Sequence, residues 1–462
     1  MSTEDMIQDF VKILDRDRVI TDVQQVESYL IDETPDGSKV TPEKDCIVIK
    51  PKNVEELSEV LSLANSSNIP VFVRGGATGL VSGCVPTRKG VILSMELFKK
   101  INTDRDNLSV DVGAGVTLEE LTNTVEKKKL SFPLHPGDDG AQIGGLVANN
   151  AGGAKAVKSG EMRNFVKGLK VVLPSGEIIE TGGNVVKDNT SASKLMHLFI
   201  GTEGIFGIIA EATLKVVSGE NETATMVLPF DDRYEALEKI PSILRCKTVP
   251  QGLEYVERRS IEKSAEHLGK TWPISNGEAF LILIFSEPTK DVLYSAMEDI
   301  SKIFEKSGDM EPLLAEYSDE EEKILEIRSG LYSSLQPDLY EDLDVCVPVG
   351  NLSEFLKKLE NISEKYETYF HPYGHAGDGN LHIHIMKNNE WSEEKYESIV
   401  KEIYKAGVSL GGTITGEHGI GELKKKYLSM NMSSGSFEVL KDLKKTLDPN
   451  LILNPGKVVD ID

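Results

Sequence analysis

Cysteine is scarce in this chain: Cys46, Cys84, Cys246 and Cys346 are the only four in 462 residues, and no two form a CxxC pair. Iron–sulfur clusters and zinc ribbons need closely spaced thiolates, so the chain carries neither. Structural disulfides are not expected in a cytoplasmic chain, and the four read as small buried hydrophobes. Long apolar runs are missing too. The longest, Phe280 to Phe285 (FLILIF), falls far short of the roughly 20 residues of a membrane span. The N-terminal MSTEDMIQDFVKILDRDR is acidic and amphipathic, without the basic and apolar regions of a signal peptide. A cytoplasmic protein is expected, at most peripheral at a membrane. Positive charge is the third shortage. Lysine and arginine number 51 against 75 acidic residues, a formal charge of −24. Such a field repels nucleic acid, and an anionic substrate would need a local basic pocket.

Several nucleotide and metal motifs are absent as well. No GxxxxGK[ST] occurs, which excludes a P-loop, and no HExxH occurs, which excludes a helical metalloprotease site. The segment RGGATGL (residues 74–80) follows a short apolar strand but lacks the GxGxxG spacing. It runs on into VSGCVPTRKGVILS, a loop and another strand, where a Rossmann fold would place a helix.

What remains is a globular balance of 39% hydrophobic and 27% charged residues, in a chain long enough for two or three domains. Residues 1–30 read as one or two helices. Strands are expected at Cys46–Lys50, Pro70–Val73, Val91–Ser94, Leu108–Val112, Val166–Leu173, Glu177–Glu180 and within Ile205–Val216, with helices at Val54–Asn65 and from Leu118. Pro133–Gly153 (PLHPGDDGAQIGGLVANNAGG) is almost uncharged and reads as one long structureless loop, of the kind usually kept for function. A polar turn near Gly219–Thr223 marks a domain boundary. Beyond it, strands (Met226–Pro229, Gly252–Val256, Ala279–Phe285, Val345–Val349, Leu381–Ile385) alternate with helices (Arg233–Leu244, Val292–Lys306, Leu352–Tyr366, Glu393–Ser409). That pattern predicts a sheet with helices on one side. A last helix, Phe437–Leu447, precedes LDPNLILNPGK. Two glycine-rich loops in one domain, around Gly75–Gly79 and Gly144–Gly153, expose backbone N–H groups that could cradle a pyrophosphate without a helix.

Five of the eight histidines (His371, His375, His382, His384 and His418) crowd into about a tenth of the chain, in YGHAGDGNLHIHI and GTITGEHGIGE. Imidazole titrates near neutrality and is the commonest metal ligand, so this clustering points to a site. On a strand His382 and His384 share one face, while Leu381, Ile383 and Ile385 face the core. The tight AGDGN turn lets His375 return beside His382, and Glu417 arrives from the second loop. Two imidazoles, a carboxylate and an open position suit catalytic zinc or iron; a hydrogen-bonded polar turn without metal fits the same residues.

The ordered series RGGATGLVSGCVP, HPGDDGAQIGGLVANNAGGAKAVKSG, GLKVVLPSGEII and FIGTEGIFGIIAEATLKV resembles the FAD-binding domain of the vanillyl-alcohol oxidase/p-cresol methylhydroxylase superfamily. The C-terminal GHAGDGNLHIHI, GEHGIGELK and LDPNLILNPGK resemble more narrowly its branch of D-lactate, glycolate and D-2-hydroxyglutarate dehydrogenases. The resemblance runs from about residue 30 to the end.

It implies an α+β protein. A PCMH-type FAD-binding domain of two α/β subdomains (1–220) would be followed by an α+β cap whose sheet is covered by helices (221–415), and by a C-terminal segment (416–462) returning to the FAD domain. Arg74, Gly75, Gly76, Ala77, Thr78, Gly79 and Leu80 would bind the pyrophosphate. Pro136, Gly137, Gly144, Gly145, Asn149, Gly153, Ile208 and Asn454 would line the flavin and its phosphates. Some members attach FAD through histidine, but this branch binds it non-covalently, and His135 reads as a loop histidine. By the same resemblance His375, His382 and Glu417 would hold a divalent metal (zinc, iron or manganese) against the substrate's oxygens. His418 would be the general base, and Arg328 would grip the carboxylate, against the alternative of a surface arginine paired with Glu326. His371 and His384 are left as bystanders.

The hydroxyglutarate-type enzymes carry a lysine where this chain has Glu341, Asp342 and Leu343. The expected substrate is therefore a small 2-hydroxy monocarboxylate such as D-lactate or glycolate. The electrons would leave to an external acceptor: a quinone, a cytochrome, an electron-transfer flavoprotein or an iron–sulfur subunit. Two alternatives stand beside this: a related flavin oxidase of another alcohol, and a flavin subunit of a multi-subunit glycolate oxidase. A homodimer is compatible with all of them.

Overall fold

A computed structural model describes residues 3–185, 187–188, 190–219, 221–305, 312–315 and 318–461. Glu220, at the expected boundary, and Lys306, at the end of an expected helix, lie outside the described residues.

The first half holds two sheets. Val19–Ile20, Cys46–Ile49, Gly90–Ser94 and Val71–Arg74 form a four-stranded sheet in that spatial order, its last three strands parallel. A parallel pair needs a crossover, and the helix Val54–Ser66 supplies it, N-capped by Asn53 and burying Leu57, Val60, Leu61 and Ala64. Ile101–Asp104, Ser109–Gly113, Ile208–Lys215, Val166–Val172 and Ile178–Gly182 form a five-stranded antiparallel sheet. The C-terminal stretch rejoins the first sheet: Leu453 bridges Val71, and Ile452 and Leu453 sit in that subdomain's core.

The second half is built on a seven-stranded antiparallel sheet. Its spatial order is Leu313–Ala315, Glu222–Phe230, Ala279–Glu287, Gly252–Glu257, His371–Gly374, Asn380–Met386 and Leu339–Cys346. Helices cover both of its faces, a correction to the one-sided arrangement expected. Leu253, Tyr255, Leu281, Leu283, Leu343, Leu381 and Ile383 pack with residues of the helices Arg233–Ile243, Lys290–Glu305, Leu352–Lys365 and Glu393–Ser409. Val256, Ile282 and Tyr373, one residue out of phase, pack with Ile261, Ile324, Ile327 and Leu331 of the helices Arg258–His267, Ser318–Ser329 and Leu331–Leu335. Successive strand residues point to opposite faces. A two-sided apolar sheet therefore shows mixed runs, and the pattern along one strand does not reveal how many faces are covered.

Two more expectations need correction. The stretch 133–153 is not structureless, for Ile143–Asn149 is a helix, closed by Asn150 in the left-handed region (φ 52°). Glycines at positions 144 and 145 weaken a helix reading, but burial of Ile143, Leu146 and Val147 supports the turn. The strand expected at Val345–Val349 instead spans Leu339–Cys346, with Val349 beginning a 3₁₀ turn. Its charged residues Glu341, Asp342 and Asp344 are all buried, which is why the strand is hard to see in the sequence.

Candidate active site

Both glycine loops and the histidine cluster open into one cavity of about 1290 Å³, between the two halves of the chain. That exceeds the ~300–1,000 Å³ of most small-molecule pockets. Residues 75–80, Pro136, Gly137, Gly144, Gly145, Asn149, Gly153, Ile208 and Asn454 all line it. Arg74 does not. Its guanidinium donates to the carbonyls of Ser28 (3.2 Å) and Ile31 (2.6 Å) and lies over the Tyr29 ring. The side chain leaves the strand toward those main-chain acceptors, so Arg74 clamps the N-terminal segment.

The glycines fall into two kinds. A Cβ on Gly79, Gly137 or Gly145 would meet nothing within 4 Å and would project into open space at the cavity wall. A Cβ on Gly76 would lie 2.6 Å from the Gly140 carbonyl, and on Gly153 (φ 120°) 2.3 Å from the His135 carbonyl. The second kind lets the loops close on each other; the first leaves bare backbone facing a ligand.

The opposite wall is one face of the seven-stranded sheet. Glu254, Asp342, Asp344, His382 and His384 alternate with the apolar residues of the other face, placing five polar side chains together under cover. His375 follows the strand His371–Gly374 across the tight turn, and its ring centroid is 5.5 Å from that of His382. Their Nε2 atoms each lie 3.3 Å from Glu417 Oε1. The sequence-derived trio is thus brought to one point, with ligand atoms mutually within 4.8 Å. A second trio sharing His382, with Asp342 and His418, meets the same spacing.

His418 stacks on His382 (centroids 5.1 Å apart) and turns Nδ1 toward Asp344 (3.7 Å) and Asp342 (3.9 Å). The loop that carries Glu417 and His418 is held by Asp344, which is fully buried. Its Oδ2 accepts from the backbone N–H groups of Gly416 (2.9 Å), Glu417 (2.7 Å) and His418 (2.8 Å), and Oδ1 pairs with Lys424. Across the domain junction Asn149 donates to the Glu417 carbonyl at 2.6 Å, and Glu203 accepts from Ile420 and Gly421 N–H at 2.8 Å. The glycine-loop half therefore helps place the loop that carries Glu417 and His418.

Arg328 lies in the cavity wall, 5.2 Å over the Tyr373 ring. Its partner is Glu254, to which Nε donates at 2.8 Å; Glu326 pairs with Lys270 instead. His384 Nε2 is 3.1 Å from the Tyr373 hydroxyl and His371 Nδ1 is 3.0 Å from Ser260 Oγ, and neither histidine lines the cavity.

Protonation follows these surroundings. Burial lowers the pKa of His418, and the two aspartates only partly offset this, so the ring is neutral and able to accept a proton. Burial alone would raise the Glu417 pKa, but His375 and His382 outweigh it and hold the carboxylate well below its usual range. For His375 burial acts downward, and the facing Glu254 and Glu417 raise it well above an ordinary histidine. A positive charge is thus favoured between Glu254 and Glu417, whether carried by a proton or by a metal cation.

Residues 46–182 match the FAD-binding domain model and residues 220–458 match the model of the FAD-linked oxidases' C-terminal domain. The chain belongs to the FAD-linked oxidases. A D-lactate dehydrogenase of Archaeoglobus fulgidus is 37% identical over 94% of this chain and 96% of its own length. A glycolate oxidase subunit of Bacillus subtilis is 33% identical over 93% and 91%. The solved structure of p-cresol methylhydroxylase with substrate bound shares the fold: TM-score 0.79 at 15% identity, over 99% of this chain and 97% of that one. Both FAD-linked oxidase domains are present, so the chain is a flavin-dependent oxidoreductase with an FAD-binding domain of the PCMH type.

Proposed function

We propose that this FAD-linked oxidase oxidises a small D-2-hydroxy monocarboxylate, of the D-lactate or glycolate kind, to its 2-oxo acid. The observation that carries this reading is the joining of the glycine cradle, the neutral His418, the Arg328 guanidinium and the His375–His382–Glu417 trio in one cavity. Flavin, when bound in that cradle, accepts the hydride from the α-carbon. Arg328 spends Nε and Nη2 on Glu254 and, among the described residues, donates to nothing through Nη1. That free edge suits a substrate carboxylate. With Nδ1 turned to Asp342 and Asp344, His418 offers Nε2 as acceptor for the substrate's hydroxyl proton. Loss of that proton to His418 and of a hydride from the α-carbon leaves the 2-oxo acid, and an external acceptor must finally take the two electrons.

A divalent metal fits the trio. Four carboxylates with side chains no more than 15% exposed (Glu254, Asp342, Asp344, Glu417) face two similarly buried cations, Arg328 and Lys424, and one divalent ion makes up the difference. His375 and His382 through Nε2, with Glu417, would hold zinc, iron or manganese. Such an ion supplies Lewis-acid polarisation of the substrate's oxygens. Asp342 lines the cavity, so a distal second carboxylate would meet an acid there, which favours the monocarboxylates. The names of the relatives, D-lactate dehydrogenase and glycolate oxidase subunit, support the same class. The test is anaerobic mixing of the purified flavoprotein with a panel of D- and L-2-hydroxy acids. Bleaching of the visible flavin absorbance by D-lactate or glycolate is expected; no bleaching by any hydroxy acid would refute the reading.

A further inference from the structure

Glu254 stands on the strand Gly252–Glu257, on the sheet face away from Leu253 and Tyr255, and is 1% exposed. Its two oxygens serve two different groups. Oε2 accepts from Nε (2.8 Å) and Nη2 of Arg328, and Oε1 lies 2.8 Å from Nδ1 of His375. The backbone fastens the same strand to the same turn: Gly377 N–H donates to the Leu253 carbonyl at 2.9 Å. An ionised carboxylate only accepts, so the proton in the contact with His375 sits on Nδ1. Nε2 points at Glu417, 3.3 Å away, where a metal cation would take the place of a shared proton.

We propose that Glu254 is a positioning residue that fixes the substrate's anchor and a metal ligand in a single geometry: it aims the Nη1 edge of Arg328 into the cavity and locks His375 with Nε2 free to ligate. This inference rests on the reading of the site as a metal-assisted 2-hydroxy acid dehydrogenase. The chemistry explains why a carboxylate is required. Arginine needs an acceptor to hold its fork in one plane, and a ligating imidazole needs an acceptor behind it to hold its tautomer. A glutamine could satisfy the arginine, but its amide N–H₂ would face Nδ1. The imidazole would then have to accept at Nδ1 and carry its proton on Nε2, where a metal must bind. A simple structural ion pair between Glu254 and Arg328 would leave His375 unaffected by this change.

The experiment uses the FAD-loaded protein, stripped with chelator and titrated with zinc chloride by calorimetry, with D-lactate kinetics alongside. The wild-type chain is expected to bind one zinc per flavin. Glu254→Gln should keep its flavin and bind zinc about 10- to 100-fold more weakly, the usual cost of losing such a support. Saturating zinc should then restore kcat with KM for D-lactate near the wild-type value, because the glutamine oxygen still accepts from Arg328. Wild-type zinc affinity in Glu254→Gln overturns the proposal. Glu254→Asp keeps the charge but is one methylene too short to reach both partners, and the same comparison applies to it if the glutamine variant does not fold: unchanged zinc affinity and KM overturn the proposal. A wild-type chain that takes up no zinc, iron or manganese refutes the metal-assisted reading itself, before any variant is compared.

Discussion

His418 carries the most direct test of the proposed chemistry. Its ring is buried and neutral, with Nδ1 turned toward two aspartates, and it lies outside both glycine loops in the chain. His418→Ala should therefore retain FAD while flavin reduction by D-lactate slows by about two to four orders of magnitude, the range for a lost general base. Stopped-flow reduction checks this, and undiminished reduction removes His418 from the role. Glu341 offers a second test, of stability. Burial raises its pKa from 4.5 to about 7, partly offset by Lys424 and Lys426. The folded state then holds a proton that the unfolded chain has already lost, so stability falls as pH rises from about 4.5 to about 7. The stability of Glu341→Gln relative to wild type should accordingly climb by about 3 kcal/mol between pH 4 and pH 8 and stay flat outside that window. Denaturant unfolding across pH measures it; a constant difference would disprove the buried, proton-holding state. The sequence announced His418 and concealed Glu341. Histidines are rare enough that five together stand out. Glu254, Asp342 and Asp344 fall at the polar positions of alternating strands, where charge ordinarily means contact with water, and here the polar face is the site.

The glycine loops and the catalytic loop are where local geometry decides function. The sequence identified residues 75–80 and 144–153 as a cradle because glycine was dense there, yet density could not separate glycines that let the loops close from those that face a ligand. The structure separates them. Gly145→Ala adds a methyl group to open cavity space, whereas Gly153→Ala drives one into the His135 carbonyl at a φ of 120°. The first variant should fold normally and lose FAD occupancy, and the second should lose stability by more than about 1 kcal/mol. Flavin-to-protein absorbance ratio and thermal unfolding distinguish the two, and the reverse pattern would contradict the assignment. Asp344 gives the catalytic loop the same kind of dependence. Replacing it by alanine strips the Glu417 and His418 N–H groups of their acceptor, while Gly416 N–H keeps the residue 344 carbonyl at 2.7 Å, and leaves Lys424 buried without its charge partner. Removing one member of a buried pair costs about 3–5 kcal/mol. The amides of Glu417 and His418 should lose hydrogen-exchange protection first, even where the rest of the chain stays folded.

Flavin is also the natural link between the halves of the chain. The cavity lies where both glycine loops, the cap sheet and the loop of Glu417 and His418 meet, and polar ties cross that junction: Asn149 to the Glu417 carbonyl, Glu203 to Ile420 and Gly421, Lys158 to Glu287 and the Tyr332 hydroxyl to the Glu33 carbonyl. One apolar cluster runs from the five-stranded sheet into the cap, and removing the flavin leaves the cavity between them to fill with water. A ligand that binds only the assembled state stabilises it by RT ln(1 + [L]/Kd), about 2.7 kcal/mol at a hundredfold excess over Kd. Scanning calorimetry should show one cooperative transition for the FAD-loaded chain. For the stripped chain it should show an earlier, broader or split one that returns to the first on adding FAD. If removing the flavin leaves a single transition at the same temperature, the cavity is held open by the polypeptide alone, and the cofactor does not couple the cap to the domain beneath it.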